Sequence, residues 1–273
     1  MPILHILILA LVQGITEFLP ISSSGHLAVT WEVFDRFGQV PPDVNGSAQL
    51  ILSIAVHVGT LAAVCLYYWR DLMRMVVGTA KLAVGQVDPG ARLAFYIVLG
   101  TIPVVVVGFL FKDEIESAWH NVTVVASTTI GFGVVLWIAD RLGMTVRRIE
   151  HLSAGSILII GLAQVLALIP GTSRSGITMT AARFLGFERP EAAHISLLLA
   201  IPAILGAGTL AGLDLYRLGD LRLGMDALLA AAISFVVALV AIALMLRWLG
   251  HAGFLPFAIY RVLLGVALLV WVA

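Results

Sequence analysis

The chain has 273 residues, of which 60% are hydrophobic and only 12% charged; soluble domains carry about a quarter charged residues, so no part of this one reads as a water-soluble domain. Basic and acidic residues cancel at 16 each, which argues against the basic surface that a nucleic-acid partner needs. The single cysteine, Cys65, sits in an apolar run, permits no internal disulfide and reads as a packed thiol.

In chain order, residues 3–19 are an apolar run nearly long enough to cross a bilayer. No basic flank or small-residue cleavage site marks it as a secretory signal, so it reads as part of the mature protein. It stops at Pro20 and a polar knot, Ser22-Ser23-Ser24-Gly25-His26, followed by a short apolar arm at 27–37. Three long apolar stretches come next, at 48–69, 93–111 and 122–139, each near the length of about 20 residues that a spanning helix needs. A second short run, 156–169, leads into a second knot, Pro170-Gly171-Thr172-Ser173-Arg174-Ser175-Gly176, and a short arm at 177–187. Three more long stretches close the chain at 192–213, 227–249 and 254–272. An arm of about 11 residues covers about 16 Å, roughly half of a 30 Å hydrocarbon core. Residues 3–37 and 156–187 therefore read as two re-entrant hairpins, because irregular backbone at that depth is tolerated only where it lines a protein cavity.

The two knots repeat each other. Aligning Gln13 with Gln164 places Ser22 on Ser173, Ser24 on Ser175 and Gly25 on Gly176 without a gap. The expected fold is an all-α polytopic membrane protein, a single integral membrane domain over 1–273. It has two repeats, about 1–140 and 150–273, each with one re-entrant helical hairpin and three transmembrane helices. Because a hairpin returns to its own side and three is odd, the second repeat is inverted relative to the first, an arrangement that places a site at the midplane. One side of the membrane then holds Arg70, Arg74, Lys81, Arg92, Arg141, Arg147, Arg148, Arg189 and Arg247, and the other only Arg36, Lys112, Arg217 and Arg222. The positive-inside rule makes the richer side cytoplasmic, with both termini external and loops 38–47 and 112–121 external too.

Ionisable residues inside a membrane are costly and point to function. Glu17 and His26 belong to the first hairpin and Arg174 to the second. Gln13 and Glu17, four apart, share a helical face; Glu17 reads as a cation ligand or a general base. Ser23 and His26 lie one turn apart, so the imidazole can deprotonate a serine or protonate a leaving group. Both returning arms start at the tips, near Gly25 and Gly176, and aim free N–H groups at the bilayer centre, a ready anion site. Arg174 adds a planar fork suited to phosphate oxygens. Ser22, Ser23, Ser24, Thr172, Ser173, Ser175 and Thr178 add hydroxyl donors. His57 reads as a buried packing residue, Gln164 as a bond across the hairpin interface and Arg261 as structural. No zinc or nucleotide pattern is present.

At these knots the chain resembles the bacterial undecaprenyl-diphosphatases, also called bacitracin-resistance proteins. Residues 13–26 (QGITEFLPISSSGH) look like the first family signature, 170–178 (PGTSRSGIT) like the second, and 254–261 (FLPFAIYR) match as well. The resemblance covers essentially the whole chain. It implies hydrolysis of the C55 isoprenoid diphosphate to the monophosphate, which recycles the lipid carrier of cell-wall precursors in the bacterial inner membrane. It also implies that Glu17, Ser22, Ser23, Ser24, His26, Ser173, Arg174 and Thr178 occupy site positions. Where the family often has a second glutamate, this chain has Gln13. One carboxylate and one amide would then hold a divalent cation, Mg²⁺ or Ca²⁺, with the diphosphate supplying further oxygens.

The reading is a phosphatase. Arg174, the hydroxyls and the helix N-termini hold the diphosphate, Glu17 and Gln13 hold the cation, and Ser23 attacks with His26 as proton partner, or His26 directs a water. Membrane lipids surround the chain, and a homo-oligomer is compatible with it. The rival reading is a transporter or flippase of an anionic or polyprenyl-phosphate lipid, which the same architecture would serve.

Overall fold

The computed structural model describes residues 2–36, 46–111, 122–218 and 221–272, with side chains over 2–36, 49–111, 122–206 and 223–271. Eleven α-helices run through the described residues: α1 Ile3–Thr16, α2 Ser23–Arg36, α3 Gly46–Tyr67, α4 Trp69–Leu82, α5 Pro89–Leu110, α6 Val122–Leu142, α7 Ala154–Val165, α8 Arg174–Phe184, α9 Arg189–Leu218, α10 Leu221–Leu249 and α11 Leu255–Val272. Short apolar arms interrupted by polar knots thus become the helical pairs α1/α2 and α7/α8, and the long apolar stretches become α3, α5, α6, α9, α10 and α11.

Among the described residues four helices are long and apolar enough to cross a membrane, over Gln49–Tyr67, Pro89–Leu110, Val122–Leu142 and Leu223–Leu249. The other two expected spans, 192–213 and 254–272, correspond to α9 and α11 and run in part beyond the residues whose side chains are described; over its described side chains α11 is apolar from Leu255 to Trp271. Of the expected external loops, 38–47 and 112–121, residues 38–45 and 112–121 lie outside the described residues, and 46–47 already belong to α3.

One connection differs from expectation. Residues 70–92, read as a loop from their charges, contain α4. Its apolar residues recur with helical spacing, so one face packs on α5, while Arg70 and Arg74 are exposed and Lys81 pairs at 2.8 Å with Asp88, which caps α5. Asp71 Oδ2 meets His194 Nε2 of α9 at 3.0 Å, and that bond holds the Asp71 carboxyl below the usual carboxylate range against the opposing effect of burial.

Small residues let the helices approach. A Cβ on Gly59 of α3 would collide with Ala231 O of α10, and one on Gly161 of α7 with Gly100 O of α5. Such contacts are the usual means by which membrane helices pack when lipid is as apolar as the side chains. α1 packs on α10 and α7 on α5, α3 meets both α9 and α10, and α6 packs on α11. Phe18, fully buried at the first hairpin tip, shares a core with Leu61, Val64, Leu197, Ala238 and Phe254. Outward faces are apolar as well, as at Phe95, Ile102 and Phe109 on α5 and Leu263 and Val270 on α11, which suits lipid rather than water.

The far end of the second hairpin is held by charge. Arg183, fully buried, donates to Asp140 Oδ1 (3.1 Å), to Gly143 O (2.9 Å) and to Phe187 O. Arg189 donates to the same Asp140 oxygen at 2.7 Å, and Asp140 Oδ2 accepts from Phe254 N at 3.0 Å. One carboxylate therefore ties α6, α8, α9 and the start of α11 together.

Candidate functional site

The two hairpin tips meet. α1 ends at Thr16, a turn covers 17–21, and α2 begins at Ser23. The second tip turns at 169–173 before α8 begins at Arg174. Ser22 and Ser173, which coincide in the sequence repeat, have φ of 73° and 72° and are the only non-glycine residues with positive φ among the described residues. That left-handed backbone costs a serine on the order of 1 kcal/mol or more and persists only where surrounding structure enforces it. Across the junction Ser175 donates to Leu19 O at 2.9 Å. Arg261, fully buried on α11, clamps both tips, donating to Pro20 O (3.4 Å), Gly171 O (2.9 Å) and Thr172 O (2.8 Å), with a further bond to Thr129 O at 3.1 Å. Arg261 is structural, as its sequence position suggested.

Glu17 is the hub of the site. It is 6% exposed, and its two oxygens are shared among groups from four elements. Oε1 accepts from Arg174 Nη2 at 3.0 Å. Oε2 accepts from Ser23 Oγ at 2.7 Å and from Gln13 Nε2 at 2.8 Å. His57 of α3 brings Nε2 to 3.6 Å from the same oxygen, while its Nδ1 bonds Ser53 O at 2.6 Å. His57 is thus a neighbour of the site rather than a packing residue. Its sequence setting, a lone histidine inside a long apolar span, carried no sign of a partner 40 residues upstream.

The expected Ser23–His26 pair does not form. Ser23 is turned to Glu17, and His26, one turn further along α2, folds Nδ1 back to Ser22 O at 2.7 Å. Its Nε2 meets Tyr260 Oη of α11 at 2.5 Å, with the two rings parallel. Ser22 and Ser24 face each other, hydroxyl to hydroxyl, at 3.4 Å. Gly25 is buried but loosely surrounded, since a Cβ there would come no closer than 3.4 Å to Ser22 Oγ.

In the second tip Ser173 caps α8, its Oγ accepting from Gly176 N at 3.1 Å and lying 3.2 Å from Ser175 Oγ. Gly176 leaves no room for a side chain, because a Cβ would lie 2.6 Å from Arg261 Nη1. Thr178, fully buried, donates to Ser196 Oγ at 2.8 Å and to Arg174 O at 2.8 Å, and Arg174 Nη1 reaches Ser196 O at 3.3 Å. Thr178 thereby stands behind Arg174, and Ser196 of α9, which no sequence signal singled out, supports both. Thr172 is buried with its hydroxyl unpartnered among the described residues. Gln164 bonds Gly100 O of α5, at 3.5 Å, rather than its own hairpin partner.

Glu17 and Gln13 present hard oxygen donors of the kind that Mg²⁺ and Ca²⁺ take. Gln13 is fully buried, yet its Oε1 has no hydrogen-bond partner among the described residues. No group of three or more His, Cys, Asp and Glu is assembled among the described residues. The pair suits a cation completed by substrate oxygens, not one held by protein alone.

Next to the first tip runs an apolar groove of about 720 Å³. Ile15 and Leu19 of the first hairpin, Val240 and Leu244 of α10, and Pro256 and Phe257 of α11 line it.

Four similarities to known proteins accompany this arrangement. The family model for bacitracin resistance protein BacA matches residues 6–267. The chain is 50% identical over 273 residues to undecaprenyl-diphosphatase 1 of Rhodospirillum rubrum, covering 98% of this chain and 95% of that one. It is 46% identical over 272 residues to the undecaprenyl-diphosphatase of Jannaschia sp., covering 99% and 98%. To the undecaprenyl-diphosphatase of Alteromonas mediterranea it is again 46% identical over 272 residues, covering 99% and 98%.

Proposed function

This chain belongs to the BacA family of bacitracin resistance proteins, and on that premise we propose how it works as an undecaprenyl-diphosphatase in the membrane. The reaction is hydrolysis of undecaprenyl diphosphate to undecaprenyl phosphate and inorganic phosphate, which returns the lipid carrier to cell-wall synthesis. One observation carries the assignment of roles. A serine hydroxyl is bonded to a buried carboxylate, and an arginine from the opposite hairpin is bonded to that carboxylate's other oxygen.

Ser23 is the nucleophile and Glu17 its base. As Ser23 Oγ bonds to the terminal phosphorus, its proton passes to Glu17 Oε2, and the bond from phosphorus to the bridging oxygen breaks to release the prenyl monophosphate. Water then cleaves the Ser23 phosphate, and Glu17 returns a proton to Ser23. His26 handles the proton of that water. Arg174 offers a charged fork to the phosphate oxygens, and Ser22, Ser24, Thr172, Ser173, Ser175 and Thr178, with the glycine backbones at 25 and 176, line or brace the same two tips. Glu17 and Gln13 would hold Mg²⁺ or Ca²⁺, which would neutralise charge on the diphosphate. Most of the acceleration then comes from positioning and charge neutralisation. The prenyl tail lies in the apolar groove that Ile15 and Leu19 help to line.

The site lies near the bilayer midplane and opens to the external side. Supporting this, α1 packs on α10 as α7 packs on α5, and Ser22 matches Ser173 in sequence and in φ. Both suit two inverted repeats, with the protein in the bacterial inner membrane and both termini outside. Cysteines introduced at Ala83 and Ser117 are expected to react from opposite sides of intact cells with a membrane-impermeant thiol reagent; reaction of both from one side would rule out the inverted arrangement. The activity itself is tested by phosphate release from a long-chain prenyl diphosphate by the detergent-purified protein, with and without chelator. Release without any gradient, lost on chelation, is expected. No release, with lipid movement in vesicles instead, would leave the transporter reading.

A further inference from the structure

The third signature-like stretch, 254–261, supplies scaffolding through Phe254 on Asp140 and Arg261 on the hairpin tips, and lining for the apolar groove through Pro256 and Phe257. Its remaining polar side chain is Tyr260. We propose that Tyr260 is a positioning residue for His26, holding the imidazole ready in both of its protonation states during the reaction. The proposal rests on the reading of His26 as a proton carrier.

The tautomer follows from the partners. Nδ1 of His26 lies 2.7 Å from the carbonyl oxygen of Ser22, and a carbonyl only accepts, so Nδ1 carries hydrogen. In the neutral ring Nε2 is then the bare nitrogen, and Tyr260, at 2.5 Å, donates to it. Once Nε2 takes a proton it becomes a donor, and the phenol must accept. A hydroxyl can do either by rotating about its C–O bond. A carboxylate at this place would favour the imidazolium, and an ammonium would favour the neutral ring. Tyrosine favours neither strongly, which is what a group that gains and then loses a proton in each cycle requires.

Geometry supports the pairing from two directions. The rings stack with centroids 5.6 Å apart and an interplanar angle of 8°, so Tyr260 fixes the plane of the imidazole as well as its edge. The residue next in sequence, Arg261, is fully buried and anchored on four carbonyls of the two tips and α6, so the register of Tyr260 against the first hairpin is set by the clamp that joins the hairpins. Tyr260 itself is 42% exposed, hence it is no core residue whose loss would open a cavity. Among the described residues no other side chain is hydrogen-bonded to the His26 imidazole; Thr30 Oγ1 donates only to the His26 backbone carbonyl, at 2.8 Å.

The test separates hydroxyl from ring. Tyr260→Phe keeps the stack and removes the hydroxyl, whereas Tyr260→Leu removes both. Partners that orient a metal-ligating histidine typically contribute 10- to 100-fold to activity, and a proton-carrying histidine that must be held in place in the same way sets the same scale. Tyr260→Phe is therefore expected to lower kcat by about 10- to 100-fold with KM and melting temperature near the parent values, and Tyr260→Leu to lose about as much. In the parent, ¹⁵N spectra of histidine-labelled protein should show His26 protonated at Nδ1, with Nε2 at a hydrogen-bonded shift that moves in Tyr260→Phe. A Tyr260→Phe protein with parental kcat, or with an unmoved Nε2 resonance, would overturn the proposal and leave Tyr260 as a stacking residue. If the parent protein itself released no phosphate, the phosphatase reading would fail, while the nitrogen spectra would still report whether the hydroxyl bond exists.

Discussion

Glu17→Gln is expected to lower kcat/KM by about 10²- to 10⁴-fold, the usual contribution of a positioned general base. The amide keeps an oxygen that can face Arg174, and it is almost the same size, so the variant should remain folded and inserted. What it cannot do is take the Ser23 proton. An amide nitrogen placed where Oε2 now lies would also confront the Gln13 amide, whose Nε2 donates there at 2.8 Å. If Glu17 also holds the cation, the activity that remains should no longer respond to chelator. The measurements are kcat/KM with and without chelator, alongside melting temperature in the same detergent. Full activity in a folded Glu17→Gln protein would remove both the base and the cation site, leaving Glu17 as the ion-pair partner of Arg174.

Arg174→Lys is expected to keep the protein folded and yet cost roughly 2–4 kcal/mol of transition-state stabilisation, about 30- to 1,000-fold in rate. The fork is in use on two sides, with Nη2 on Glu17 at 3.0 Å and Nη1 on Ser196 O at 3.3 Å. Lysine retains the charge but offers a point contact and cannot bridge those two partners while also meeting a phosphate. Arg174→Ala should be worse still, since Glu17 would then face the diphosphate with no opposing charge beside it. The pairing with Glu17 makes a purely structural role the rival to test. In that case lysine would largely substitute for arginine, and alanine would lower thermal stability before activity, because a buried carboxylate would be left unpaired. An Arg174→Lys protein with near-parental kcat/KM would take the arginine out of the reaction.

Much of this molecule is legible from one strand of text because the physics involved is local. The length of an apolar run decides whether it can cross a bilayer, and 27–37 and 177–187 are too short whatever surrounds them. A polar knot in such a run must sit in protein, so Ser22–His26 and Pro170–Gly176 mark the tips. The cost of ionisable groups in hydrocarbon singles out Glu17, His26 and Arg174 before any fold is known. Amphipathic periodicity is equally local, and in α4 it is masked by Arg70, Arg74 and Lys81, whose charges suit a loop as well as the polar face of a helix.

Partnership is different, because hydrogen-bond reach is about 3 Å and sequence distance carries no information on that scale. Ser23 and His26 are three apart and look like a pair, but the turn at 17–21 brings Ser23 back over Glu17, and helix geometry carries His26 away toward Tyr260, more than 200 positions downstream. His57 reached Glu17 because α3 packs beside α1, and Ser196 reached Arg174 and Thr178 because α9 packs beside α8. Sequence alone determined the bilayer, the hairpins and the residue types of the site. Which oxygen meets which donor was decided only by helix packing, since directional bonds within about 3 Å are set by the placement of whole helices whose contacts are long-range in the chain.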